Sequence, residues 1–148
     1  SSEKSEIEKT SEEEREKLEG KEHVLVVEDE ESVRRLALHI LKRYGYEVKT
    51  AANPNEALDI CASEEKEFDL LVTDMIMPYM DGKALAEKLR ELNDRIKILF
   101  MSGYPQYGEE MTAAGGLDTE ESKKAEDYIS KPFEPTAFMY KIRALLDS

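Results

Sequence analysis

The fold is decided by the stretch Leu70-Leu71-Val72-Thr73-Asp74-Met75-Ile76-Met77-Pro78-Tyr79-Met80-Asp81-Gly82. Its apolar run ends at one carboxylate, Asp74, and a turn built on Pro78 and Gly82 follows. A short apolar run between turn signals predicts a buried strand of a parallel sheet. Ligand sites of open α/β sheets lie at the carboxyl ends of their strands. Asp74 is therefore a candidate site residue, although a lone Asp there could also be only a turn former or a helix cap.

The composition limits the classes of protein to which the chain can belong. Its 148 residues, 40% hydrophobic and 37% charged, suit one soluble domain. The net charge of −13 argues against direct nucleic-acid binding, which requires an excess of Lys and Arg. No apolar run approaches the roughly 20 residues of a membrane span, and the single Cys61 cannot form an internal disulfide. A cytoplasmic location is expected.

Residues 1–22 differ in composition from the rest of the chain. They hold nine Glu and five Lys or Arg, with only Ile7 and Leu18 as sizeable apolar side chains. So little apolar surface is not expected to offset the entropy lost on packing. We therefore expect a charged linker or a helical tail, in which pairs such as Glu13 with Lys17 support a solvated helix. The folded domain is expected to span residues 23–148.

Strand-like apolar runs alternate with helical patterns along this domain. The predicted strands are residues 24–27, 46–51, 68–73, 96–101 and 128–130. The predicted helices cover residues 33–44, a segment opening at Asn53-Pro54, 83–92 and 135–146, with Gly45 ending the first. This alternation predicts an α/β fold, a (βα)5 doubly wound domain around a parallel five-stranded sheet. The fourth crossover falls in residues 104–127, where we expect two short helices, 109–114 and 119–125.

Polar side chains stand at the carboxyl ends of four predicted strands. The first strand is followed by Glu28 and Asp29, the third by Asp74, the fourth by Ser102 and the fifth by Lys131. Because these ends share one edge of a parallel sheet, the five groups are expected to converge. Neighbouring carboxylates repel unless a cation lies among them, and oxygen-only ligands favour Mg²⁺. Such a site suits phosphoryl transfer with Asp74 as nucleophile, although each residue alone could be a capping or solvated group.

At these positions the chain resembles the receiver (response-regulator) domain of two-component signalling. The resemblance covers residues 22–148 and rests on the motifs Val24-Leu-Val-Val-Glu-Asp-Glu30, Asp74-Met-Ile-Met-Pro-Tyr-Met-Asp-Gly82, Phe100-Met-Ser-Gly103 and Tyr128-Ile-Ser-Lys-Pro-Phe133. It implies a receiver domain over residues 23–148 with the flavodoxin-like strand order 2-1-3-4-5. The sequence around Ser102 and Lys131 is most like that of receivers fused C-terminally to hybrid histidine kinases.

The resemblance also implies a phosphorylation site and its cofactor. Asp74 would accept a phosphoryl group from a phosphohistidine, with Mg²⁺ required and Mn²⁺ expected to substitute. Asp29 and Asp74 would bind the metal through their carboxylates, and Glu28 through a water molecule. Ile76 would add its backbone carbonyl as a further ligand.

A conformational switch is implied by the same resemblance. The Ser102 hydroxyl would move toward the phosphoryl group after transfer, and the Tyr128 ring would follow it inward. Lys131 would pair with the phosphoryl oxygens, and the bond between Lys131 and Pro132 would be cis. Ile76 and Tyr104 would flank the path of attacking water; because both are bulky and neither is an obvious base, slow self-dephosphorylation is expected.

Partners follow from the same family. The expected phosphoryl donor is a histidine kinase or a histidine phosphotransfer protein, and the chain is expected to be a monomer or a weak phosphorylation-linked dimer. It is not expected to be an enzyme beyond catalysing its own phosphorylation and dephosphorylation. A receiver-like docking module that is never phosphorylated is the alternative. A metal phosphatase is disfavoured because Ile76 occupies the position of a second acid.

Overall fold

The computed structural model of the chain describes residues 12–76, 80–103 and 125–148. Its strands are β1 (His23–Val27), β2 (Glu47–Ala51), β3 (Leu70–Asp74), β4 (Lys97–Ser102) and β5 (Glu126–Ser130). Its helices are α1 (Glu31–Arg43), α2 (Pro54–Ser63), α3 (Gly82–Leu92) and α4 (Pro135–Asp147), and residues 12–18 are helical as well. Each strand overlaps a predicted one. In the described part of the chain, no helix combines the length and apolar character of a membrane span.

The strands form one parallel sheet in the order β2-β1-β3-β4-β5, which confirms the predicted topology. Asp74 pairs with Met101, and Ser102 pairs with Ser130, so the carboxyl ends of three neighbouring strands are level. Most of the connection between β4 and β5 lies outside the described residues. The short helix predicted over 109–114 lies there, and so does the one over 119–125 except for Ala125.

The sheet is covered on both faces, which explains why the central strands β1, β3 and β4 contain continuous apolar runs. Val24 and Val26 belong to a core cluster completed by residues of α1 and α4. Leu25 and Val27, the alternate residues of the same strand, belong to a second cluster completed by residues of α2 and α3. Successive side chains of a strand point to opposite faces, so a strand between two helical layers needs an apolar residue at every position.

Local signals in the sequence fix the helix ends. The Asn53 side chain accepts a hydrogen bond of 2.8 Å from the Glu56 backbone N–H and caps α2, whose first residue is Pro54. Asp81 caps α3 by accepting a bond of 2.7 Å from Ala84. Gly45 follows α1 with a φ of +96°, a left-handed conformation that favours glycine. The predicted starts and ends at Asn53-Pro54 and Gly45 are confirmed.

The N-terminal segment, residues 12–22, packs on the domain more closely than its composition predicted. Leu18 is only 1% exposed and lies in the cluster with α1 and α4. Its backbone carbonyl accepts a hydrogen bond of 2.8 Å from the Tyr46 hydroxyl, and the Gly20 N–H donates to the Tyr44 carbonyl at 3.0 Å. The segment is therefore held on the domain by one buried leucine together with these hydrogen bonds, although its apolar area alone would be too small to hold it.

Candidate functional site

The carboxyl edge of the sheet brings the candidate residues together. A cavity of about 180 Å³ opens there, lined by Asp74, Met75, Ile76, Ser102, Gly103 and Lys131. Glu28 follows β1 directly and Lys131 follows β5 directly, so both lie at this edge. The parallel register brings these residues together once the strands pair, because each of them ends a strand or directly follows one.

Lys131 joins the two buried carboxylates of the site. Its Nζ lies 2.6 Å from Glu28 Oε1 and 3.2 Å from Asp74 Oδ2, and its side chain is 15% exposed. Burial alone would lower the pKa of Lys131, but the hydrogen bond and charge of Glu28 and the charge of Asp74 outweigh burial and raise it. The ammonium group is therefore held in its charged form between two acids.

Glu28 is the least satisfied of these acids. Its side chain is buried, and among the described residues no hydrogen-bond partner reaches the oxygen Oε2. Burial raises the pKa of Glu28 to about 7, and the neighbouring charge of Asp74 adds to the rise against the opposing effect of Lys131. An unpartnered, buried carboxylate oxygen is costly in a fold unless another ligand completes it.

A metal ion fits this group of acids. Glu28, Asp29 and Asp74 each place an oxygen within 4.8 Å of the others. Among the described residues, Lys131 is the cation that pairs with these acids, so the fully ionised set of three acids and one lysine carries two negative charges, which one divalent cation would neutralise. Every donor is an oxygen, the ligand type that Mg²⁺ prefers, and Glu28 Oε2 is available for a bound water. The residues present therefore fit the magnesium ion that the resemblance implies.

The remaining predicted residues lie at different distances from the cavity. Ser102 lines it, is 4% exposed, and accepts a hydrogen bond of 2.6 Å through its carbonyl from the Lys131 N–H. The Ile76 N–H donates to Asp74 Oδ1 at 3.4 Å, and the Ile76 side chain is 56% exposed at the rim. The Lys131–Pro132 peptide bond is cis, the geometry that the resemblance implies. Tyr104 lies outside the described residues.

Tyr128 is not among the residues that line the cavity. Its ring stacks on Phe100 at 5.3 Å between centroids, and its hydroxyl donates to Glu126 Oε2 at 2.7 Å. The other oxygen of Glu126 accepts from Arg90 of α3 at 3.0 Å. In this conformation the ring is therefore held by an acid of its own strand, a contact that the sequence analysis did not predict.

Two further residues shape the site without having been predicted. The Arg34 guanidinium of α1 donates to the Glu28 carbonyl at 2.9 Å. The Gly82 N–H donates to the Met75 carbonyl at 2.8 Å, and a Cβ on Gly82 would clash with the Asp74 carbonyl. Gly82 therefore lets the start of α3 approach the end of β3. The Asp-Gly pair in the opening motif was a signal for Gly82, whereas nothing in the sequence distinguished Arg34 from Arg35.

Comparison with known proteins gives the same picture. Residues 24–143 match the family described as the response regulator receiver domain. A probable transcriptional regulator, ycf27, of Cyanophora paradoxa is 38% identical over 127 residues, which cover 86% of this chain and 49% of the regulator. The sensor kinase CckA of Brucella abortus is 43% identical over 89 residues, 60% of this chain and 9% of the kinase. The chain thus spans about half of one relative and a small part of the other.

Solved structures with the same fold come from several kinds of signalling protein. The receiver domain of the hybrid histidine kinase CckA aligns with a TM-score of 0.67 at 31% identity, covering 84% of this chain and 98% of that one. The response regulator TrrA of Thermotoga maritima, solved in complex with Mg²⁺-BeF, aligns with a TM-score of 0.66 at 29% identity, with the same coverage. These similarities confirm the predicted resemblance and the predicted fold.

Proposed function

The chain belongs to the response regulator receiver domain family, and on that premise we propose that Asp74 is the phosphoacceptor of a two-component phosphorelay. Receiver domains work with histidine kinases, so the donor is a phosphohistidine on a histidine kinase or on a histidine phosphotransfer protein. One observation carries the assignment. Asp74 ends β3 in contact with Lys131, and its carboxylate shares a cluster with Glu28 and Asp29.

The transfer step uses the residues of the cavity. A carboxylate oxygen of Asp74 attacks phosphorus, the bond from phosphorus to the imidazole nitrogen breaks, and the bonding electrons stay on that nitrogen. Lys131, now paired with two carboxylates, then pairs with a phosphoryl oxygen, and the Ser102 hydroxyl donates to another. The product is an acyl phosphate on Asp74.

A bound Mg²⁺ supplies neutralisation of the charge on the phosphoryl oxygens. Asp29 and Asp74 would hold it directly, Glu28 through water, and Ile76 through its backbone carbonyl. The protein's own contribution is to keep these oxygens together at the end of the sheet, where Glu28 is buried and the Asp74 side chain is only 12% exposed. Mn²⁺ is expected to serve as a substitute.

The consequence of transfer is a change in a protein-interaction surface. Ser102 lies at the end of β4 and Tyr128 lies on the neighbouring β5, so a shift of the Ser102 hydroxyl toward the phosphoryl group frees space for the Tyr128 ring. We expect no reaction on other substrates: the chain catalyses only its own phosphorylation and dephosphorylation, in a cytoplasmic setting.

Labelling with acetyl phosphate tests the proposal. In the presence of Mg²⁺ the wild-type chain should gain one phosphoryl group by intact mass, and Asp74→Asn should gain none. Asp81→Asn is the matched control, because Asp81 lies on the same loop and an asparagine can still cap α3. Labelling of Asp74→Asn at the wild-type rate would refute the assignment.

The silent docking module gives a different set of results. It predicts no labelling of the wild-type chain and no increase in thermal stability with Mg²⁺, because a metal that binds the folded state alone must stabilise it. The phosphoacceptor predicts both. The unpartnered Oε2 of Glu28, a costly feature in an unused site, supports the phosphoacceptor.

We also propose that the phosphorylated form is long-lived. Ile76 stands at the rim of the cavity two residues after Asp74, and it has no group that could orient water. Ile76 and Tyr104 are the two residues expected to flank the path of attacking water. The double variant Ile76→Asn with Tyr104→Glu should lose the phosphoryl group about tenfold faster or more, because its polar side chains can orient that water. Ile76→Leu, which keeps an apolar side chain, should decay like the wild type; an unchanged decay rate in the double variant would contradict this account.

A further inference from the structure

Arg34 holds the loop that carries Asp29 from both sides. Its guanidinium donates to the carbonyl of Glu28 at 2.9 Å, and its backbone N–H donates to the carbonyl of Glu30 at 3.0 Å. Asp29 lies between these two carbonyls. The side chain of one half-buried residue of α1 therefore fixes the Glu28–Asp29 peptide group directly before a candidate metal ligand, and its backbone N–H makes the ordinary helical bond to the N-cap residue.

On its β1 side this loop is also held at Glu28, whose backbone N–H donates to the Ala51 carbonyl at 3.1 Å and whose side chain pairs with Lys131. The N-cap of α1 is Glu30, and its side chain makes no capping hydrogen bond. Among the described residues, the exposed Asp29 side chain has no hydrogen bond or ion pair of its own to orient it. The direction of the Asp29 carboxylate is therefore set by its backbone, and within the described residues the bond from Arg34 is the side-chain contact to the peptide group that precedes Asp29.

We propose that Arg34 is a positioning residue for the metal site, acting through the Glu28–Asp29 peptide to hold both carboxylates toward the cation. This inference rests on the proposed function, because it concerns the same Mg²⁺ site. Groups that orient metal ligands from behind typically contribute tenfold to a hundredfold to metal affinity. Arg34 itself would touch neither the metal nor the phosphoryl group.

The proposal predicts that removing Arg34 weakens Mg²⁺ binding, whereas the loss of its positive charge alone would strengthen it. Arg34 carries a positive charge beside an acidic site, so if it acted only through its charge, its removal would strengthen Mg²⁺ binding. If Arg34 acts by positioning, its removal weakens binding because Asp29 loses its orientation. The direction of the change in Mg²⁺ affinity therefore separates the two roles.

Arg35 provides a matched control on the same helix. Its side chain is 71% exposed and contacts Glu31 one turn away at 3.7 Å, without reaching the Glu28 carbonyl. Arg34→Ala and Arg35→Ala change the net charge equally and place alanine at neighbouring positions of α1. Weaker Mg²⁺ binding by Arg34→Ala than by Arg35→Ala therefore reports the hydrogen bond of Arg34, because loss of charge alone would change the affinity in the opposite direction.

Titration with Mg²⁺ by calorimetry, on the full chain at fixed pH and ionic strength, tests the proposal. We expect Arg34→Ala to weaken Mg²⁺ binding about tenfold or more, Arg35→Ala to leave it within about twofold, and Arg34→Lys, which keeps a donor, to recover most of the loss. In acetyl phosphate labelling, Arg34→Ala should need more Mg²⁺ for half of the maximal rate but approach the wild-type rate at saturation.

Each outcome bears on one proposal. Equal or tighter Mg²⁺ binding by Arg34→Ala, compared with Arg35→Ala, would overturn the positioning role even if the wild type binds Mg²⁺ and is labelled. A wild-type chain that neither binds Mg²⁺ nor is labelled would overturn the proposed function instead. Should Arg34→Ala fail to fold, Arg34→Lys decides: a wild-type Mg²⁺ affinity supports the role of the donor, and affinity as weak as that expected for alanine refutes it.

Discussion

Two clusters of charged side chains lie at opposite edges of the sheet, and each is built around one cation. At the carboxyl edge, Lys131 lies between Glu28 and Asp74. At the amino edge, Arg143 of α4 lies between Glu22, which precedes β1, and Asp147. Both clusters bring acids from distant parts of the chain to one base. The pKa values of the acids nevertheless shift in opposite directions in the two clusters.

The Arg143 cluster is fully paired. The guanidinium donates to Glu22 at 2.8 and 3.1 Å, to Asp147 at 2.6 and 3.1 Å, and to the Tyr46 hydroxyl at 2.9 Å. Burial alone would raise the pKa of Glu22, but the bonds with Arg143 outweigh it and lower that pKa. Asp147 also has a lowered pKa, because of its hydrogen bonds with Arg143. Each acid in this cluster is more stable ionised than it would be in water.

The Lys131 cluster is short of positive charge. Here the pKa of Glu28 rises to about 7 because burial outweighs the attraction of Lys131, and one Glu28 oxygen has no hydrogen-bond partner in the described part of the chain. The acids of the Arg143 cluster are neutralised within the protein, whereas the acids of this cluster outnumber its cation, so that Glu28 either keeps its proton or needs an added cation. The difference is what marks the carboxyl edge as the functional site, since ion pairing alone occurs at both edges.

The largest expected effect comes from breaking the paired cluster. Arg143→Ala should lower the free energy of unfolding by about 3 kcal/mol, because it leaves the partly buried Glu22 carboxylate without its cation and removes the bond to the Tyr46 hydroxyl. Mg²⁺ should not restore the loss. Chemical denaturation with and without Mg²⁺ checks this.

Lys141→Ala on the same helix serves as the comparison for Arg143→Ala. Lys141 makes a more exposed pair with Asp127 at 3.4 Å, so its loss should cost less than about 1 kcal/mol. Equal losses for the two variants would mean that the Arg143 cluster is not the anchor of the N-terminal segment.

A smaller loss of stability is expected from removing Leu18, the buried apolar residue of the N-terminal segment. Leu18→Ala should lower the free energy of unfolding by about 2 kcal/mol, because a side chain that is 1% exposed leaves a cavity in the core. Leu92→Ala, at a position that is 68% exposed, should change it by less than about 0.5 kcal/mol. Equal stabilities of Leu18→Ala and the wild type would show that residues 12–22 do not belong to the folded unit.

The sharpest comparison makes the same substitution in both clusters. At pH 8 without metal, Glu22→Gln should destabilise the fold by about 1 kcal/mol, because a charged partner of Arg143 is lost. Glu28→Gln should stabilise it by about 1 kcal/mol, because a buried acid that resists ionisation becomes neutral. Opposite signs in parallel urea titrations are expected, and a shared sign would contradict the distinction between the clusters.

The pH dependence follows from the direction of the Glu28 shift. Between the ordinary pKa of 4.5 and about 7, folded Glu28 holds a proton that the unfolded chain has lost. The contribution of Glu28 to stability therefore decreases as pH rises through this window. The advantage of Glu28→Gln over the wild type should accordingly be present at pH 8 and absent at pH 4.5, as measured by thermal unfolding in the presence of a chelator.

Several candidate site residues could be placed along the sheet because they stand at the ends of apolar runs. Glu28, Asp74 and Ser102 could be placed at one edge from strand ends alone. The start of β5 was missed, since Glu126 and Asp127 are polar and an edge strand needs no continuous apolar pattern.

Contacts made by single polar residues were harder to predict. Leu18 is one leucine in a charged segment, and its burial depends on Tyr46 and Arg143, which are distant in the chain. The bond from Arg34 to the Glu28 carbonyl depends on which side of α1 faces the loop. Periodicity locates helices and their apolar faces, but it does not indicate which of two adjacent arginines reaches a given backbone oxygen.

The bonds of Arg143 also indicate that the chain could be circularly permuted. Because this residue holds Glu22 and Asp147 at once, the segment before β1 and the last turn of α4 are neighbours in space. A circular permutant could therefore join residue 148 to residue 12 through a short flexible linker and open new termini in the exposed stretch 65–67 between α2 and β3. Such a chain would keep both charge clusters while reversing the order in which its two halves are synthesised.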